Sequence, residues 1–228
     1  MKAISFLIIL VFVSSCKQKS NTIISTAEES KKEIKTQGKV SSMVKELIEF
    51  AQITYNKDSD MNQLLQAKKI DTSGVVTDIS LKKGGNMVKE VMKSGESQDA
   101  PFFEVANSNK IILLATSSGY SGPIWAKILI DKTTLEIQKV QFDHQSESEG
   151  YGADVVLSSF ENKFTGSKIS FTSNTFGLTQ DKKMIIKGNQ KIDGISGATI
   201  TSEAVVRMLN NDLLTYKNYL VDQMNTKN

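Results

Sequence analysis

The chain has 228 residues, 28 of them basic and 25 acidic, for a formal charge of +3, and 39% are hydrophobic. That composition is globular, with apolar material for the core of one or two ordinary domains. Arg207 is the only arginine, and lysine is a hydrated point charge without the planar fork that grips phosphate backbones, so no nucleic-acid surface is expected. Cys16 is the only cysteine and His144 the only histidine, so disulfides, cysteine-bound zinc and iron–sulfur centres are excluded and no metal site is expected.

The first residues read as an address. Lys2 precedes the apolar run Ala3 to Val13, broken only by Ser5. The run is too short to span a bilayer, which needs about 20 residues, but it suits the apolar centre of a signal peptide. It ends in Val13-Ser14-Ser15-Cys16, small residues before a lone cysteine. This resembles the lipobox of bacterial lipoproteins, which implies cleavage of residues 1–15 and acylation of Cys16. Residues 16–37, rich in Lys, Gln, Ser, Thr and Glu, read as a flexible tether.

From Val40 the spacing turns helical, with Val40, Met43, Val44, Leu47, Ile48 and Ala51 on one stripe. Asp58 to Ala67 reads as a second short helix. Gly84-Gly85 reads as a turn, and Met87 to Met92 fits helix or strand. Residues 38–98 are thus expected to form a helical or mixed N-terminal region ahead of a main domain at 99–222, with a tail at 223–228. From Pro101 the pattern becomes β. Phe102 to Ala106 and Ile111 to Thr116 flank Asn107-Ser108-Asn109, and Ile124 to Ile130 and Leu135 to Phe142 form a hairpin around Asp131 to Thr134. Ala153 to Phe164 reads as helix, Lys168 to Thr172 and Lys183 to Lys187 as strands. Residues 199–222 form the clearest helix, its stripe running Ile200, Ala204, Val205, Met208, Leu209, Leu213, Tyr216 and Leu220. The expected fold class is α+β: a mixed or antiparallel sheet flanked by helices, with an N-terminal helical extension.

The segment that carries chemistry is Asp193-Gly194-Ile195-Ser196-Gly197-Ala198-Thr199, followed by Ile200-Thr201-Ser202. Gly197 permits close backbone approach and positive φ, and Ala198 adds little bulk. Thr199 sets a hydroxyl at a helix N-terminus, where unpaired N–H groups and the helix dipole favour an anion. Thr201 or Ser202 is expected to cap that end. An ordinary capped turn has the same composition, but the order Asp-x-x-Ser-Gly-Ala-Thr is more specific.

That order is similar to the flavinylation motif of FMN-binding domains. In those domains a flavin transferase takes FMN from FAD and joins its phosphate to the last threonine. The resemblance therefore implies FMN held covalently on Thr199, with Asp193, Ser196, Gly197 and Ala198 completing the motif and Asp193 positioning the segment for the transferase. Two further stretches extend the likeness. One is Gly122-Pro123-Ile124-Trp125. The other is the loop Glu147-Ser148-Glu149-Gly150-Tyr151-Gly152. Together the three resemble the NqrC subunit of the sodium-translocating NADH:quinone reductase over about residues 100 to 222, and more loosely the RnfG subunit of the Rnf complex. The likeness implies that Gly122, Pro123, Ile124, Trp125, Glu147, Ser148, Gly150, Tyr151 and Gly152 line the flavin site. Glu147 could accept from a flavin N–H or ribityl hydroxyl. Trp125 could pack on the ring or fill the core. His144 is expected to be a hydrogen-bonded structural residue, and Glu149 a surface charge.

Ser148, Glu149 and Tyr151 stand where the family has Thr, Pro and Leu, and a cleavable signal replaces the family's N-terminal membrane helix. The expected function is a membrane-tethered flavoprotein electron carrier, with redox partner proteins that include other subunits of an NADH:quinone reductase. It is expected to be exported and lipid-anchored, on the periplasmic or outer face of the inner membrane. No residue is assigned to turnover chemistry. A stand-alone flavin-dependent reductase and a non-redox lipoprotein that serves binding or assembly are the alternatives.

Overall fold

The computed structural model describes residues 41–95 and 98–225. The signal, Cys16 and the tether lie outside these residues. The chain opens with α1 (Ser42–Phe50) and a single 3₁₀ turn at Met61–Gln63. Strands β1 (Leu65–Ile70) and β2 (Val76–Ile79) lead into α2 (Leu81–Ser94). A meander follows: β3 (Ala100–Val105), β4 (Lys110–Ser118), β5 (Pro123–Asp131) and β6 (Glu136–His144). After a 3₁₀ segment at Gly152–Val156 and the short α3 (Ser158–Glu161) come β7 (Phe176–Gln180), β8 (Lys183–Ile186) and β9 (Gln190–Asp193). Two helices, α4 (Thr199–Thr215) and α5 (Lys217–Asn225), close the fold.

The large sheet runs β2-β1-β3-β4-β5-β6, antiparallel throughout. The small sheet runs β8-β7-β9, with β7 and β9 parallel. This is the α+β class, with a mixed second sheet. Alternation along the strands gives the large sheet two buried faces. Phe102, Leu113, Ile128 and Phe142 point into a core shared with α4 and the small sheet, whereas Phe103, Ile112, Leu114 and Leu129 meet α1 and α2. Phe142, Phe160, Phe164 and Phe176 stack edge-on at 5.1–5.8 Å and join the two sheets beneath the loops that leave β6.

Several expectations are corrected. Leu65–Ile70 is a strand, because Leu65, Ala67 and Ile70 bury their side chains as β1 pairs with β2 and β3. Residues 38–98 are therefore no separate region: β1 and β2 extend the large sheet, and the boundary expected near residue 98 falls inside it. Gly84-Gly85 lies within α2 and makes no turn. A Cβ at Gly84 would stand 2.9 Å from Ala67 and from the Phe103 ring, so the glycine lets the helix lie close on the sheet. Ala153 to Phe164 is not one helix, since Leu157 is extended and separates two short turns, leaving Val156 exposed. Lys168 forms a single bridge to Glu136 and no strand, while β7 has no counterpart among the expected strands. The last helix breaks at Tyr216, and Ile200 on its expected apolar stripe is 57% exposed.

The break at Tyr216 has a cause in the sheet. Beyond Phe103↔Ile112, β3 and β4 stop pairing. The next rung would set Pro101 against Leu114, and proline has no N–H to give. The buried Tyr216 hydroxyl takes its place. It donates to the Leu114 carbonyl at 2.9 Å, accepts the Leu114 N–H at 3.4 Å and lies 3.4 Å from the Pro101 carbonyl. One turn back, the Asp212 carboxylate accepts the Thr116 N–H at 2.7 Å. The end of α4 thus supplies side chains where a strand would have supplied backbone.

Two measurements check this. Tyr216→Phe leaves both polar groups of Leu114 buried without that partner and is expected to cost about 1–3 kcal/mol in urea unfolding. Burial pushes the Asp212 carboxyl from 3.8 up to about 6, against the opposing Thr116 hydrogen bond. A folded-state value above the unfolded one means that the stabilising effect is complete below about pH 4 and is lost as pH rises through 6. Asp212→Asn, whose amide oxygen still accepts from Thr116, should therefore be more stable than the parent at pH 7 by up to about 3 kcal/mol. The difference should shrink as pH falls from 6 to 4 in parallel thermal melts.

Candidate functional site

The three motif segments lie in separate parts of the chain and meet at one end of the large sheet. Gly119 to Gly122 turns β4 into β5, with the Gly119 N–H on the Gly122 carbonyl at 2.7 Å. The second segment leaves β6 beside it, because β5 pairs Ile124 with His144. The third enters from β9 and passes into α4.

Glu147 joins them. It is 8% exposed, and its two carboxylate oxygens are divided between neighbours. Oε1 accepts the Ser121 N–H at 2.7 Å, and Oε2 accepts the Thr201 hydroxyl at 2.8 Å. Gly119 and Gly152 pack against this carboxylate so closely that a Cβ at either would overlap it. The Ser146 hydroxyl adds a bond to the Ser121 carbonyl at 2.6 Å, and the His144 Nδ1 accepts the Glu147 N–H at 3.2 Å. The imidazole thus makes a structural hydrogen bond.

The segment from Asp193 to Thr199 is braced from behind. The Gln180 amide donates to the Ile195 carbonyl at 2.9 Å, and the Ser202 hydroxyl accepts the Ile195 N–H at 2.9 Å. Gly197 adopts φ +75°, and a Cβ there would sit 3.0 Å from the Tyr151 ring. The chain then enters α4 through Ala198, which has no side-chain cap. The expected capping by Thr201 or Ser202 does not occur, because their hydroxyls are committed to Glu147 and Ile195. The first turn of this 17-residue helix therefore keeps N–H groups with no intrahelical acceptor, and Thr199, partly exposed, is its first residue. Its surroundings are both polar and apolar: Ser196 is exposed, and Tyr120, Tyr151 and Ile200 expose 57–71% of their surface. Asp193 faces solvent, 3.9 Å from Lys191, and its carbonyl accepts from Lys163 at 2.7 Å.

Not every expected residue joins this cluster. Ile124 points into the core on the α4 side of the sheet. Trp125, next along β5, points to the opposite face, against Val88, Val91 and Met92 of α2, with its indole N–H buried and without an acceptor among the described residues. Pro123 shares that face and packs on Gly95 at the end of α2. Gly122 sits beside the Ser146 hydroxyl. Ser148 and Glu149 are exposed, and Gly150 takes φ +72° in open space. Gln180 is the residue that reading the sequence missed: a lone glutamine on a strand carries no signal of the loop it braces.

Comparison with known proteins bears on this arrangement. The FMN-binding domain family matches residues 119–213, a span that starts at the first of the three loops and ends within α4. The Na(+)-translocating NADH-quinone reductase subunit NqrC from Chlamydia muridarum is 28% identical over 123 residues, 47% of this chain and 39% of that protein. Its counterpart from Chlamydia caviae is 28% identical over 127 residues, 49% of this chain and 40% of that one. The chain thus spans about two fifths of the curated relatives it matches. The crystal structure of the same subunit from Parabacteroides distasonis superposes with a TM-score of 0.60 at 24% identity, covering 88% of this chain and 98% of that one. NqrC of Shewanella oneidensis also gives 0.60, at 15% identity, covering 81% and 98%. Residues 119–213 belong to the FMN-binding domain family, and the chain that carries them is similar in sequence and fold to the NqrC subunit of Na(+)-translocating NADH-quinone reductase.

Proposed function

We propose that this protein is a membrane-tethered electron carrier that holds FMN through a phosphoester on Thr199. The observation that carries the reading is the position of Thr199 at the open head of α4, at the end of a motif loop held rigid from both sides. The residues present fit such a group. The amides of the first turn and the helix dipole suit a phosphate. Glu147, the nearest buried carboxylate of the cluster, is spent on Ser121 and Thr201, so it does not present an open charge to an anion. Exposed Tyr120, Tyr151 and Ile200 offer apolar surface to a ring system beside the ester.

In attachment, the Thr199 oxygen forms a bond to the flavin-side phosphorus of FAD, AMP leaves and the hydroxyl proton is released. A flavin transferase is the partner this step requires, and exposed Asp193 is the part of the motif open to its recognition. The group, once held, supplies reversible electron uptake; the chain supplies attachment, orientation and electrostatics. Glu147 keeps the three loops in register, and Gly197 lets the Tyr151 ring lie over the backbone two residues before the ester. We further infer that residues 1–15 are removed on export, that Cys16 is acylated and that residues 16–37 tether residues 38–222 to a bacterial membrane, with other subunits of a quinone reductase as redox partners. Among the described residues no helix is long and apolar enough to cross a membrane, so the reading assigns anchoring to the lipid.

The decisive experiment is intact-mass analysis of the chain produced with a flavin transferase. The expected product is heavier by FMN less water and keeps its flavin fluorescence on denaturation. Thr199→Ala should lose both, and denaturation-resistant flavin in that variant would disprove the site. Glu147→Ala should leave Ser121 and Thr201 without their shared acceptor and lower the labelled fraction several-fold at equal transferase, measured by the same mass ratio.

A further inference from the structure

The largest cavity among the described residues lies away from Thr199. It has a volume of about 940 Å³ and opens where β3 and β4 part. Thr199 and Asp212 are 13 residues apart on α4, about 20 Å along its axis. The cavity walls are apolar over Ile70, Val91, Ala100, Pro101, Leu114 and Ala115. That size and make-up are those of a small-molecule site, which pairs apolar walls with a few polar groups that fix orientation.

The polar groups have one sign. Of the charged residues on the wall, Asp71 and Asp212 are both acidic, and no lysine or arginine lines it, in a chain whose basic residues outnumber its acids. Asp71 is engaged locally, its Oδ1 accepting from the Ser73 N–H and hydroxyl and from the Val75 N–H at 2.6–3.0 Å. Asp212 differs. It is recessed on the last turns of α4, and its one hydrogen bond is the Thr116 N–H on Oδ2. No cationic side chain of the described residues pairs with it. Tyr216, the other titratable group on the wall, has its hydroxyl tied to Leu114. A recessed carboxylate with one hydrogen bond and no counter-charge is costly, and burial raises its proton affinity accordingly. A ligand that brings a positive charge to the second oxygen and an apolar body to the walls offsets that cost.

We propose that the cleft between β3 and β4 is a binding site for a small organic cation, its ammonium paired with Asp212 and its apolar body against Val91, Ala100, Leu114 and Ala115. Thr72, Ser94, Thr116 and Thr215 surround the charged end with hydroxyl-bearing side chains. The site is separate from the flavin position, so its occupancy does not depend on Thr199.

The test is calorimetric titration of the full chain with phenethylammonium chloride, with 2-phenylethanol as the uncharged analogue of the same shape and potassium chloride as the ionic-strength control. The amine is expected to bind saturably, at least tenfold more tightly than the alcohol, and equally well to the flavin-loaded chain and to Thr199→Ala. Asp212→Asn, which keeps the acceptor for Thr116, should reduce the amine's affinity to that of the alcohol while its thermal melt shows an intact fold. Equal binding of amine and alcohol, no binding of either, an effect matched by potassium chloride, or undiminished affinity in Asp212→Asn would overturn the proposal. So would loss of amine binding on flavin loading, which would give the cleft to the flavin ring.

Discussion

The site rests on one buried carboxylate. Glu147 holds a loop from the β4–β5 turn with one oxygen and the first turn of α4 with the other. A carboxylate that accepts two hydrogen bonds in a buried position makes stronger bonds than neutral groups would, and removing it leaves two donors without acceptors. The glycines at 119 and 152 follow from the same interaction, because neither position has room for a Cβ beside the carboxylate. The resemblance suggested a direct role for Glu147 toward the cofactor. The geometry shows instead a clamp that fixes where α4 begins, and therefore where Thr199 stands.

The helix so placed ends in a second constraint of different origin. At its head, α4 is open: Ala198 offers no cap, and the hydroxyls that could have served are used elsewhere. At its tail, Asp212 and Tyr216 reach into the parted strands and satisfy backbone groups that Pro101 cannot. The two ends meet different chemistry, one suited to anions and the other lined with carboxylates. A single straight helix keeps them apart.

Much of this was legible in the sequence where local pattern decides structure. The β3–β4 and β5–β6 hairpins follow from alternation around polar turns, and α4 from its apolar stripe. The motif from Asp193 to Thr199 pointed to the head of a helix because small residues and hydroxyls there have a specific use. What stayed hidden depended on distant partners. Leu65 to Ile70 looks helical until β3 lies beside it. Gly84-Gly85 punctuates a turn in most contexts, yet here it fits a helix against Ala67 and Phe103. Trp125 and Ile124 are adjacent in one motif, but strand alternation sends them to opposite faces. Gln180 and Ser202 brace the motif through contacts that no spacing rule encodes.

Pro101 also bears on the order in which the molecule can be completed. The β3–β4 hairpin closes locally around Asn107, but only Glu104↔Ile111 and Phe103↔Ile112 zip before the proline stops it. The group that bridges the rest belongs to Tyr216, more than a hundred residues downstream of both strands it touches. Bringing such remote segments together is slow compared with closing a hairpin. On a chain emerging from its N-terminus, the middle of the large sheet therefore stays ajar until almost the last helix has been made.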